Sequence, residues 1–295
     1  MKEHIFSVII PHHNIPRLLQ RCLDSISDVP EVQVIVVDDN SSPDKVDFNK
    51  FPGLERQYTQ CVFDKVGGGA GHARNIGMKH ADGKWLVFAD ADDFFVDGAF
   101  EILEGHKNDH KDIIYFKSNS VDSDTFEPSD RHVRMDKAID DALSGTISNK
   151  KAVLTIPSPI CKMLRREYIQ DKGVLFDETY ASNDMMFALK AVYWADDDAV
   201  AVSDEVLYTI TTRGDSLDAM KKTSPRNFLS SLDVMIRCNK FAKDGLYYDR
   251  RPIIVQVFRG WKISPDTFWK ALKLAVKEQA LFSATSVIFK KLFKK

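Results

Sequence analysis

A chain of 295 residues, 44% hydrophobic and 28% charged, can bury a full core and has the polarity of a soluble globular protein. Its net charge of −2 excludes the basic balance of a nucleic-acid binder. Cys22, Cys61, Cys161 and Cys238 are far apart with no Cys-x-x-Cys pair, so reduced thiols in a cytoplasmic protein are expected rather than a disulfide framework.

Phe6–Pro11 (FSVIIP) and Val32–Asp38 (VQVIVVD) are short, β-branched and almost wholly apolar, as strands buried on both faces of a parallel sheet are. The apolar run Ile5–Ile10 is too short for a secretory signal core. Between the two strands, Arg17–Ser27 sets Leu18, Leu19, Cys22, Leu23 and Ile26 at helical spacing, completing a βαβ unit. A third strand is predicted at Tyr58–Phe63, a glycine-rich loop at Gly67–Gly71, a helix over Ala73–His80 and a buried strand at Trp85–Ala89. Further strands are predicted at Ile113–Phe116, Ala199–Val202 and Val206–Thr211, with a helix over Asn183–Trp194. Ser118–Ala138 reads as an irregular polar loop. From about Pro225 the pattern is helical, with Ile253–Phe258 ambiguous.

The last thirty residues, 266–295, carry seven lysines against Asp266 and Glu278. Phe268, Trp269, Leu272, Val276 and Phe282 are expected on one side of a helix there, flanked by Lys270, Lys273 and Lys277. A basic amphipathic helix of this kind lies in an anionic membrane interface or packs on a neighbouring domain. The uncharged stretch Gln279–Phe289 is well below the ~20 residues that span a bilayer. The chain is therefore expected to be cytoplasmic, with 266–295 either touching the inner membrane face or packing on the catalytic domain.

Three polar clusters, Pro11–Asn14, Asp38–Ser42 and Asp90–Asp93, directly follow predicted strands, where open α/β sheets bind their ligands. In Asp90-Ala91-Asp92-Asp93 the alternation of an extended chain lets Asp90 and Asp92 face one ion. Clustered carboxylates repel one another unless a cation sits between them, and Mg²⁺ or Mn²⁺ completes its shell with water and phosphate oxygens. A solvated acidic turn has the same composition. Asp38 and Asp39 end the second strand, where they serve either a nucleoside or local turn capping. Arg74, just after the glycine-rich loop, suits phosphate binding near a helix start. That loop does not follow the first strand, which disfavours a dinucleotide-binding dehydrogenase. Asp184 opens a helix, as a residue favourable to the helix dipole or as a general base. The histidines show no metal-binding spacing.

In this order the motifs resemble the family 2 glycosyltransferases of the GT-A fold, over roughly residues 4–217. FSVIIPHHN at Phe6–Asn14 is similar to the family's opening strand, with His13 where an aromatic residue is usual. VVDDNS at Val36–Ser41, GHARNIG at Gly71–Gly77 and VFADADD at Val87–Asp93 are similar to its nucleotide, ARNxG and DxD segments. Lys162–Asp184 resembles the stretch ending in an acidic pair, here Asn183-Asp184 instead of Glu-Asp. Arg213 and Ser216 resemble the later Arg…Ser segment. The resemblance implies a Rossmann-like mixed α/β sheet flanked by helices, with 1–217 as the catalytic domain and 218–295 as a helical extension. It implies donor contacts at Pro11, Asn14, Asp38, Asp39, Arg74, Asp90 and Arg213, metal ligation by Asp92 and Asp90, and Asp184 as catalytic base. It further implies Mn²⁺ or Mg²⁺ as cofactor, a nucleotide-sugar donor (a UDP-sugar foremost), and a saccharide or lipid-linked acceptor in cell-surface polysaccharide synthesis. The competing readings are a nucleotidyltransferase, which should carry a basic glycine-rich loop after the first strand, and a non-catalytic nucleotide-sugar-binding protein.

Overall fold

The computed structural model describes residues 4–154, 156–214, 223–242 and 252–283. Strand β1 (Phe6–His12), helix α1 (Pro16–Asp24) and strand β2 (Val32–Asp39) form the expected βαβ unit, with β1 and β2 parallel and Val8 opposite Val34. Every residue of β2 is buried, as suits a strand dominated by Val and Ile and covered on both faces. The sheet continues outward through β3 (Thr59–Asp64), parallel to β2. Helix α2 (Ala70–His80) returns the chain to β4 (Trp85–Phe88) on the other side of β1, again parallel.

Beyond β4 the sheet turns mixed. The two-residue strand β5 (Phe94–Phe95) and helix α3 (Ala99–His106) lead into β6 (Ile113–Asp122). Helices α4 (Val133–Leu143) and α5 (Asn149–Val153) precede β7 (Lys162–Arg165), which inserts antiparallel between β4 and β6. Helices α6 (Arg166–Asp171) and α7 (Met185–Trp194) lead to the long strand β8 (Val200–Thr212). β8 runs parallel to β6 and antiparallel to β5. The eight strands lie in the order β3-β2-β1-β4-β7-β6-β8-β5. Since β1, β2, β3, β4, β6 and β8 share one direction, their carboxyl ends gather along a single rim.

Phe176 stacks on Phe187 of α7 with ring centroids 3.8 Å apart, and both meet the edge of Phe88 at the end of β4. This packing brings the start of α7 to the rim. Helix α8 (Pro225–Phe241) sends Val234 and Cys238 into the main core. Its Leu232, Met235 and Ile236 build a second apolar cluster with Ile253 and Val257 of α9 (Ile253–Gly260) and Ala271 and Ala275 of α10 (Pro265–Lys277).

Several sequence expectations change. Ser118–Ala138 is not an irregular loop: β6 runs to Asp122, and α4 begins at Val133, burying Met135, Ala138 and Ile139. The two strands expected within 199–211 are one, because β8 follows β6 along its whole length with register shifts near Lys117. Ile253–Phe258 is helical. The apolar side expected in the last helix is also different. Helix α10 ends at Lys277 and buries Thr267, Ala271 and Ala275, while Trp269, Val276 and Phe282 are exposed. No described helix is long and apolar enough to cross a membrane. The boundary expected at 217/218 and Ser216 lie outside the described residues, as does much of the basic tail.

Candidate active site

The tips of β1 and β2 are tied to each other. Asn14, in the left-handed region at φ 60°, donates its backbone N–H to Ser41 Oγ (2.8 Å), and its side-chain oxygen accepts from the Ser42 N–H (2.8 Å). His12 Nε2 accepts the Ile15 N–H at 3.1 Å, so its proton sits on Nδ1 and is donated to Asp38, 2.8 Å away. Burial opposes the charge on Asp38, but hydrogen bonds from His12 and Ser41 outweigh it and hold the carboxyl below its ordinary range. The Asp38 carboxylate thus serves the scaffold. Pro11 stays in β1 opposite Val37, partly exposed.

Asp39 points the other way, to the glycine-rich loop. Its two oxygens accept the Gly69 N–H at 3.1 and 2.9 Å, and burial pushes its carboxyl up. Gly69 has φ 86°, a conformation that side-chain-bearing residues resist. At Gly71 a Cβ would lie 2.1 Å from the Asp177 carbonyl oxygen, so only glycine lets α2 approach the segment that precedes Asp184.

From α2 the buried Arg74 crosses the rim. Its Nη2 pairs with Asp90 at 2.5 Å and its Nη1 donates to Asn183 Oδ1 at 3.1 Å. The side chain beside Asp184 is therefore a neutral acceptor for this arginine. Nε of Arg74 is buried with no hydrogen-bond partner among the described residues.

Asp90, Asp92 and Asp93 each bring a carboxylate oxygen within 4.8 Å of the other two. Arg213 donates to Asp92 at 2.9 Å, and the Thr211 N–H donates to Asp93 at 2.7 Å. Arg21 Nη2 holds the Asp92 carbonyl at 2.6 Å, and the Asp90 N–H reaches the Tyr208 hydroxyl at 2.9 Å. Burial, then the neighbouring Asp90, raises Asp92 against the opposing pull of Arg213. Burial, then Asp92 and Asp90, raises Asp93 well above the carboxylate range. Three hard oxygen donors whose charges are incompletely neutralised fit a divalent cation such as Mg²⁺ or Mn²⁺.

Asp184 sits at the N-cap position of α7. The preceding Ser182 is held at φ 59°, a strained conformation for serine, and its hydroxyl donates to Ser231 of α8 at 3.0 Å. The Ala181 N–H donates to Ser230 at 3.1 Å. Asp184, Asp90 and Asp93 line one cavity of about 870 Å³, walled also by Arg131, Met135 and Phe228. The residues predicted from sequence thus fall into two groups. Asp90 and Asp184 line the cavity, and Arg74 and Arg213 join this group by pairing with Asp90 and Asp92, whereas Asn14 and Asp38 knit the β1 and β2 tips. The sequence reading missed Asp93 as a third carboxylate, although the DxDD run contains it. It also missed Arg21, Tyr208, Thr211, Ser230 and Ser231, whose roles depend on packing and leave no local signal.

A sequence profile described as Glycosyl transferase family 2 matches residues 7–172, more than half of the chain. The chain belongs to this family. Among family 2 relatives, it is 27% identical over 232 residues to the poly(ribitol-phosphate) beta-N-acetylglucosaminyltransferase TarS of Staphylococcus aureus. That alignment covers 76% of this chain and 38% of TarS, so the chain spans well under half of that relative's length. A crystal structure of S. aureus TarS 1-349 in complex with UDP-GlcNAc matches with a TM-score of 0.61 at 21% identity, covering 93% of this chain and 77% of that one. The mannosyltransferase PcManGT from Pyrobaculum calidifontis, in complex with GDP-Man and Mn²⁺, matches with a TM-score of 0.57 at 16% identity, covering 100% and 82%. The fold is the expected GT-A type: a mixed sheet flanked by helices, with further helices at its C-terminal end.

Proposed function

We propose that the chain is an inverting glycosyltransferase that moves a sugar from a nucleotide-sugar donor, foremost a UDP-sugar, to a hydroxyl of a saccharide or lipid-linked acceptor in cell-surface polysaccharide synthesis. The observation that carries this reading is that Asp184 lines the same cavity as Asp90 and Asp93, which supports a base and a pyrophosphate site within one space. Asp184 accepts the proton of the acceptor hydroxyl as its oxygen attacks the anomeric carbon and the bond to the diphosphate breaks. A positioned base of this kind contributes about 10²–10⁴-fold. Arg74, held by Asp90 and Asn183, and Arg213, held by Asp92, lie where the charge of the departing diphosphate develops. Asp39 and the β1 and β2 tips around Pro11, Asn14 and Asp38 form the nucleoside side of the site.

Asp92 and Asp90, joined by Asp93, would hold Mn²⁺ or Mg²⁺, which supplies Lewis-acid neutralisation of the diphosphate when bound. Residues 1–217 form the catalytic domain in this reading. Residues 218–295 form an accessory helical region, and 266–295 rest on the inner face of the cell membrane. The test is a screen of UDP-, GDP- and dTDP-sugars for Mn²⁺-dependent binding and slow hydrolysis. Saturable binding with hydrolysis of a UDP-sugar is expected; failure to bind any nucleotide sugar would overturn the proposal.

A further inference from the structure

The cavity that Asp184 lines carries charges of both signs. Asp90, Asp93 and Asp184 line it, and so do Arg131, Arg134, Arg259 and Lys262. Three of these cations come from two pieces of the fold: Arg134 from the first turn of α4, and Arg259 and Lys262 from the last turn of α9 and the turn that follows it. In the first turn of a helix a cation opposes the dipole, so local helix energetics do not explain Arg134 there. The three lining acids, Asp90, Asp93 and Asp184, are all used by the proposed reaction.

We infer that the acceptor carries phosphate, and that Arg134, Arg259 and Lys262 bind it while the attacking hydroxyl lies at Asp184. This inference rests on the glycosyltransferase reading of the same cavity and deepens it. Guanidinium groups pair with phosphate through parallel charge-assisted bonds, and several such contacts on one ligand make binding steeply dependent on salt. An unoccupied group of like charges repels itself, and a bound polyanion relieves that repulsion. Met135, Ile156, Leu232 and Met235 add apolar surface to the same lining. That surface suits the carbon skeleton of either a polyol-phosphate chain or a lipid-linked glycosyl phosphate. Phosphate is the chemistry the two share.

The experiment measures direct binding, so it does not depend on turnover. Fluorescein-labelled glycerol-phosphate oligomer is titrated by fluorescence polarisation against the full chain, R134E, the double variant R259E/K262E, and a control, K79E/K172E. The control carries the same charge change at exposed positions outside the cavity lining. At low salt, R259E/K262E is expected to weaken binding at least ten-fold and R134E at least three-fold. The control should stay within about two-fold, and UDP binding should persist in every variant. Competition with a detergent-solubilised polyprenyl-phosphate-linked saccharide, or with free oligomer, identifies which source of phosphate the cavity prefers. A neutral oligosaccharide of the same length should not compete. Equal oligomer binding by the cavity variants and the full chain, or equal loss in the control, would overturn the inference. The glycosyltransferase reading is judged separately, by nucleotide-sugar binding and hydrolysis in the full chain.

Discussion

Arg74 is held between a carboxylate and an amide, and the amide belongs to the residue next to the proposed base. A hydrogen bond to a charged group contributes about 1.5–3 kcal/mol, so Asn183→Ala should loosen Arg74 and raise the donor KM by ten-fold or more. Steady-state kinetics with the preferred nucleotide sugar checks this; an unchanged donor KM would mean that Asp90 alone positions the arginine. Lys162 offers a second residue-scale test. It is fully buried above the Tyr115 ring, 4.1 Å from its centroid, and its amine donates to the Ser158 carbonyl. Burial pushes its pKa down to about 7, against the opposing pull of Cys161 and Asp184. Between that value and the ordinary 10.5, the unfolded chain holds a proton that the native chain lacks, so stability from this group rises with pH. Urea unfolding should therefore show the wild type gaining on Lys162→Met from pH 7 to pH 10, and a constant difference would contradict the assignment. At this scale the sequence was informative about identity and silent about partners. The Asp90–Asp93 run announces its own chemistry, but nothing near Asn183 reveals that Arg74, more than a hundred positions earlier, will meet it.

Helix α2 reaches the site only because Gly69 and Gly71 let its first turn lie against the 177–183 segment and the tip of β2. Gly71→Ala would drive a Cβ into the backbone carbonyl of Asp177. Overpacking of this kind typically costs about 1–3 kcal/mol, and the urea midpoint should fall accordingly. An unchanged midpoint would show that the segment yields freely. Elements with strong patterns were readable: β1, α1, β2 and β4 appear close to their predicted limits because their apolar runs and helical spacing come from burial on this sheet. β7 was not, because four residues with a basic residue at each end, Lys162–Arg165, carry no distinct period. β5 has two residues and exists only through its pairing with β8. The polar 118–138 segment misleads because β6 and α4 each bury only one side.

Over the whole molecule, α8 links the catalytic rim to the C-terminal helices. Ser230 and Ser231 hold the residues before Asp184, while the opposite side of α8 packs on α9 and α10. Because Ala271 and Ala275 belong to that packing, removing 266–295 outright would disturb the fold. The membrane proposal is better tested by Trp269→Ser with Phe282→Ser, which alters only exposed side chains. Flotation with anionic vesicles should show several-fold weaker association, and unchanged flotation would contradict it. The most direct test of the central claim compares the wild type with Asp184→Asn for release of UDP from a UDP-sugar in the presence of acceptor, with UDP affinity measured in parallel. Transfer should fall by about 10²-fold or more while UDP affinity stays within about two-fold; near wild-type transfer by Asp184→Asn would contradict the account.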